Sequence, residues 1–248
     1  IVVCIDGFLT QDADNTRQWR SGLRAEYSSH EWNHLQWESK KLKELGELLG
    51  GTAASEAAKR FFRALARKSA AKIPSGILAP LAFIKLLGNP WHVAVVRSQM
   101  TGALLADLLT RTEHQSGFTL IGHSLGARVI YAALQALSTL GAGQAIVKDV
   151  HLLGGAVGAD DETGWRNACR AIKRGGRIHN YYSEHDWVLK NLYRTAQAFS
   201  SQPVGTTPIP SRSPKIVNVD VSDLVRAHGA YRMNLVTLLR RGVEASGR

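Results

Sequence analysis

A chain of 248 residues with 44% hydrophobic content can bury a large core, enough for one globular domain with or without a small subdomain. A formal net charge of +11 favours anionic partners such as an anionic membrane surface or acidic lipids. Two cysteines far apart, Cys4 and Cys169, exclude a disulfide framework and a Cys/His metal spacing.

Ile1 to Ile5 is a continuous apolar run, the pattern of a central parallel strand, and it ends in the turn Asp6-Gly7-Phe8-Leu9. Because the chain opens inside such a strand, and no signal peptide is legible, we expect its natural start to lie further upstream. Polar sequence with Trp19 and Trp32 follows, then a candidate strand at His34–Trp37. Ser39 to Leu49 has helical spacing, stopped by Gly50-Gly51.

Ala53 to Lys72 reads as a basic helix in which Lys59, Arg60, Arg63, Arg67, Lys68 and Lys72 face one acid, Glu56. Ile73 to Leu87 is apolar but interrupted by Pro74 and Pro80, too short and broken for the ~20 residues of a membrane-spanning helix. Two readings remain open. Residues 51–88 form a cap or membrane-associated insertion, with Arg60, Arg63, Arg67 and Lys68 against lipid, or a buried helical excursion with a solvated basic face.

A further helix is expected from Asn89-Pro90-Trp91 to about Thr110. Strands are expected at Ala145–Gly154, Arg177–Tyr182 and Lys215–Val221, with helices at Trp165–Lys173, Val188–Phe199 and Tyr231–Arg240. Such alternation indicates an α/β class, a mostly parallel sheet with helices on both faces. Ligands bind such sheets at the C-terminal edge of the strands, so the turn after each strand carries the functional information.

One of those turns is Gly122-His123-Ser124-Leu125-Gly126. Phe118 to Ile121 enters it as a strand and Leu125, Val129, Leu134 and Leu137 leave it as a helix. A serine on a sharp strand-to-helix turn must hold strained dihedrals and present its hydroxyl to open space. Side chains at Gly122 and Gly126 would collide with neighbouring elements. The Leu125 N–H then lies at a helix N-terminus, where an oxyanion could form.

The other strand ends supply Asp6-Gly7-Phe8, Gly154-Gly155, Asp186 and His228. Serine, acid, histidine is the chain order of the α/β-hydrolase fold. Ser124 would be the nucleophile, His228 the base that takes its proton, and Asp186 the acid that orients the imidazole. The backbone N–H groups of Phe8 and Leu125 would form the oxyanion hole. Asp160 and Asp161 are rival acids one strand earlier, and His185 is a rival base. His123, His151 and His179 read as packing residues, and Asp220 and Asp223 as turn or cap residues.

The elbow with its extension Arg128-Val129-Ile130-Tyr131, together with Trp37-Glu38-Ser39, Asn89-Pro90-Trp91, Tyr182–Leu189 and Asn218–Val221, resembles a family across essentially the whole chain. That family is the transmembrane-and-coiled-coil-domain lipase-like proteins, an α/β-hydrolase group. The resemblance implies a serine-hydrolase fold with Ser124, Asp186 and His228 at the triad positions. It also implies that the apolar stretch after the basic helix is the family's membrane-associated insertion.

We therefore expect a single α/β-hydrolase domain over 1–248. Its expected activity is hydrolysis of carboxylic esters through an acyl-enzyme, as a lipase or phospholipase needing no metal or cofactor. Alternatives are a toxin-like phospholipase effector with a cognate immunity or carrier protein, or a non-catalytic hydrolase-fold scaffold that binds a membrane or protein. Nucleic acid is not an expected partner, because charge alone speaks for it and no helix-turn-helix, finger or stacking motif accompanies the charge. The expected location is cytoplasmic or peripheral to a membrane.

Overall fold

The computed structural model describes residues 1–7, 14–37, 80–141, 143–190 and 201–247. Within them six strands form one sheet in the order β2-β1-β3-β4-β5-β6, every neighbouring pair parallel. The strands are β1 (Val2–Ile5), β2 (Trp32–Leu35), β3 (Phe118–His123), β4 (Val147–Leu153), β5 (Ile172–Tyr182) and β6 (Ile216–Asp220). The helices are α1 (Asp14–Glu26), α2 (Pro80–Arg111), α3 (Leu125–Leu137), α4 (Glu162–Arg170), α5 (Ala230–Met233) and α6 (Leu235–Ala245). The α/β class read from the sequence is therefore the one the chain adopts.

Two cores lie on opposite faces of the sheet, because successive strand side chains point to opposite sides. On β1, Val3 and Ile5 join a cluster with Ala94, Leu105 and Leu109 of α2, Val129 and Ile130 of α3 and Trp165 of α4. Val2 and Cys4 of the same strand join Trp19 and Leu23 of α1, Tyr231 of α5 and Leu235 and Leu238 of α6. The same split separates Leu152 from Leu153 on β4 and Ile178 from Tyr181 on β5. A strand buried on both faces reads as an unbroken apolar run, which is why β1, β3 and β4 were legible.

Both thiols are buried, and desolvation pushes the Cys4 thiol well above its ordinary range. Cys4 is thus a small apolar core residue rather than a nucleophile.

Several boundaries differ from the sequence reading. Helix α1 had no predicted counterpart: among its described side chains, Trp19 and Leu23 are the large ones it buries fully, too few to set up a visible period. Strand β2 lies two residues earlier than expected. Helix α2 begins at Pro80 and runs through Gly88 and Pro90. Proline at a first turn fits a helix, and an internal proline removes one backbone hydrogen bond without ending an otherwise helical run. The expected helix over Trp165–Lys173 ends at Arg170, where Ala171 leads directly into a longer β5. The closing helix is two helices that meet at Asn234. The expected helices at Ser39–Leu49 and Ala53–Lys72, the apolar run up to Ala79, and all of the Val188–Phe199 helix beyond 190 lie outside the described residues.

Candidate active site

Ser124 joins β3 to α3 with φ 58° and ψ −119°, and is the one non-glycine residue with positive φ among the described residues. Such a conformation costs of order 1–3 kcal/mol and persists only where its surroundings impose it. Here they do. The Ser124 N–H donates to Leu153 O at 3.0 Å, and the Ser124 carbonyl accepts from Ala127 and Ala156, both at 3.1 Å. The hydroxyl makes no capping bond to α3.

The two elbow glycines are required by close approach. A Cβ on Gly126 would run into the carbonyl oxygens of Ile5 and Asp6, and one on Gly122 would lie 2.7 Å from the Gly126 carbonyl oxygen. The elbow is thus pressed onto the end of β1. That packing corrects one expectation: Ser124 is only 5% exposed, not open to solvent. The Gly7 backbone lies against it, close enough that a Cβ there would sit 2.6 Å from the Ser124 Cβ. Phe8, the other expected oxyanion donor, lies outside the described residues. Leu125 is the first residue of α3, whose opening N–H groups have no acceptor within the helix.

Asp186 and His228 come together from loops 42 residues apart. His228 Nδ1 is 2.7 Å from Asp186 Oδ2, and Asp186 is fully buried. Asp186 Oδ1 accepts the Leu189 N–H at 3.1 Å, which fixes the carboxylate from its other side. The two loops are tied to each other by Ser183, whose hydroxyl donates to Val225 O at 2.5 Å. The His228 ring lies beside the elbow, its centroid 4.7 Å from that of His123.

The rival residues are engaged elsewhere. Asp161 caps α4 by accepting the Gly164 N–H, and it takes the Tyr131 hydroxyl at 2.6 Å. Asp160 accepts from Ser201. The exposed His185 lies 3.9 Å from Glu184. Asp220 accepts from the Ser222 N–H and hydroxyl, and Asp223 holds Arg241 through both oxygens. His151 is buried among Tyr27 and Tyr181 and stacks on His179. Arg60, Arg63, Arg67 and Lys68 lie outside the described residues. Among the described residues no group of three or more His, Cys, Asp or Glu side chains could hold a metal ion.

Two buried groups at the site were not legible as site residues. Asp6 accepts the Trp19 Nε1–H at 2.8 Å, pairs with His34 Nε2 at 2.7 Å and with Arg232 Nη1 at 3.4 Å, and its carbonyl takes the Trp37 Nε1–H at 2.8 Å. These bonds fix the chain just before Gly7. The other group is His123, which packs as expected, but against His228. The Asp6 side chain resembled any acid in a turn, and the partners of both residues are remote in sequence.

Burial, followed by the charges of His228 and Arg232, pushes His123 well below its ordinary value of 6.5. The folded chain therefore leaves this imidazole neutral where the unfolded chain protonates it. Above the ordinary value both states are neutral and nothing is lost. As pH falls below it, the unfolded state gains protons and stability drops, by up to about 1.4 kcal/mol per pH unit. We expect His123→Gln to lack this acid sensitivity, seen as a smaller shift in urea midpoint between about pH 7 and pH 5 than in the parent chain. Equal shifts would show that His123 protonates alike in both states.

No helix among the described residues is long and apolar enough to cross a membrane. Comparison with known proteins finds relatives with membrane names. The chain is 35% identical over 224 residues to the uncharacterised membrane protein F35D11.3 of Caenorhabditis elegans, covering 85% of this chain and 36% of that protein. It is 32% identical over 237 residues to the transmembrane and coiled-coil domain-containing protein STS1 of Oryza sativa subsp. japonica, covering 92% and 34%. It is also 31% identical over 211 residues to the probable lipase MIL1 of Saccharomyces cerevisiae, covering 84% and 19%. The chain thus spans about a fifth to a third of the length of these relatives. Residues 1–244 match the family described as protein of unknown function (DUF726), and the chain belongs to that family.

Proposed function

We propose that this domain is a serine hydrolase of carboxylic esters, a lipase or phospholipase. The observation that carries the reading is the 2.7 Å pair of His228 with the buried Asp186, the His228 ring lying against His123, the residue that precedes a serine at positive φ. The Ser124 hydroxyl gives its proton to His228 as it attacks the ester carbonyl. Asp186 holds His228 in the tautomer that can accept at Nε2 and balances the charge of the imidazolium. The tetrahedral oxyanion takes hydrogen bonds from the backbone N–H groups of Leu125 and Phe8. His228 returns the proton to the leaving alcohol, and water then hydrolyses the acyl-enzyme by the same route in reverse. The chemistry uses no cofactor.

A lipid substrate is supported by three features. One relative is named a probable lipase and others are named membrane proteins. The exposed side of α2 carries Val96, Met100, Leu104 and Leu108 at four-residue spacing. The sequence Lys59 to Lys72, with Arg60, Arg63, Arg67 and Lys68, supplies positive charge for anionic head groups. Peripheral attachment to an anionic membrane follows from the same features.

The test is a fluorophosphonate probe, which reacts covalently with activated serines. The parent chain is expected to label, and Ser124→Ala and His228→Ala to lose labelling while remaining folded. Labelling that survives Ser124→Ala would sink the reading.

A further inference from the structure

We propose that His123 is a positioning residue, which clasps the backbone of His228 and so fixes the base relative to the neighbouring nucleophile. The proposal rests on the serine-hydrolase reading above, and concerns how that site is assembled.

His123 is the last residue of β3, and Ser124 follows it immediately. Strand alternation places His123 on the α1–α6 face with Ile121, the face on which the loop bearing His228 passes. Its Nε2 is 2.9 Å from the His228 carbonyl oxygen. A carbonyl can only accept, so Nε2 carries the hydrogen and Nδ1 is bare. That Nδ1 is buried and has no hydrogen-bond partner among the described residues. A buried unpaired nitrogen is a penalty that an apolar ring of similar size would avoid, so the side chain is explained by its one bond, to the residue that serves as base. The rings of His123 and His228 lie 4.7 Å apart at 33°, and Tyr231 flanks His123 at 5.8 Å.

The arrangement holds His228 at two points. His123 takes its carbonyl and Asp186 takes its Nδ1, which leaves Nε2 to exchange a proton with the serine. Since residues 123 and 124 share a peptide bond, one hydrogen bond ties the base to the element that carries the nucleophile. The clasp also needs an uncharged ring. A cation against the His228 ring would oppose the imidazolium that forms during attack, and the burial and neighbouring charges of His123 keep it neutral.

The test compares His123→Phe with His123→Gln. Phenylalanine keeps the ring and volume but has no donor. The glutamine amide nitrogen stands at the same distance along the side chain as the imidazole Nε2 and can donate to the same carbonyl. Two readouts are taken on folded protein: the rate of fluorophosphonate labelling, and the downfield proton resonance of the His228 Nδ1–H bonded to Asp186.

We expect His123→Phe to slow labelling by about 10- to 100-fold, as a displaced catalytic group does, and to lose or broaden the resonance. We expect His123→Gln to recover most of both. A phenylalanine variant that labels at the parent rate and keeps the resonance would overturn the proposal, as would a glutamine variant no better than phenylalanine. If neither variant folds, the imidazole 15N resonances of the parent decide: Nε2–H and neutral at neutral pH supports the clasp, and Nδ1–H or a cation overturns it. If the parent itself does not label, the hydrolase reading fails, and the His228 resonance in the two variants still decides the clasp.

Discussion

Asp186→Asn is expected to slow ester turnover and probe labelling by about 10⁴-fold while leaving the fold intact, the size of effect seen when the acid of a Ser-His-Asp triad becomes an amide. The reason is the hydrogen-bond inventory. The Asp186 carboxylate accepts from the Leu189 N–H through one oxygen and pairs with His228 Nδ1 through the other. An asparagine can keep its carbonyl toward Leu189, so the loop survives. Its NH₂ then faces His228 Nδ1 and demands an acceptor there. The ring hydrogen moves to Nε2, and an Nε2 that carries a hydrogen cannot take the serine proton. Circular dichroism and steady-state ester hydrolysis on the same sample check this. A loss under tenfold would show that Asp186 does not orient the base.

The second large effect is on stability. Gly126→Ala is expected to cost about 3 kcal/mol or more and to abolish labelling, because the added methyl meets backbone rather than a side chain that can swing away. It would strike the carbonyl oxygens of Ile5 and Asp6, at the end of a strand buried between two helix layers. Relief requires α3 to move off β1, which would carry the Leu125 N–H away from Ser124 and loosen the 58° φ of the elbow. Urea unfolding measures the first consequence and probe labelling the second. A parent-like midpoint would mean that α3 and β1 are more loosely joined than their geometry requires.

These expectations rest on features of different legibility. The elbow was readable because its requirements are local: an apolar strand, two glycines that admit close backbone approach, and a helical pattern behind the serine. Strands β1, β3 and β4 were readable for a similar reason, since strands buried on both faces leave apolar runs. Asp186 and His228 stood out because each follows an expected strand. Helix α1 was not readable, because polar residues surround Trp19 and Leu23 and their apolar partners on α5, α6 and β1 come from distant parts of the chain. The continuity of α2 through Pro90 was hidden by a residue that usually marks a boundary.

The sequence by itself determined the α/β class, the position of the strained serine, and the candidates for acid and base, because these follow from short-range periodicity and backbone sterics. Only the tertiary structure decided which acid meets which histidine. Asp161 is consumed in capping α4 while Asp186 reaches His228, and no local pattern separates the two. Tertiary structure also turned His123 from an anonymous packing residue into a contact of His228, 105 positions away, and made Asp6 a junction of α1, β2 and α5. Hydrogen bonds between remote residues depend on how the layers close over the sheet, and that closure is a property of the packed chain rather than of any segment in it.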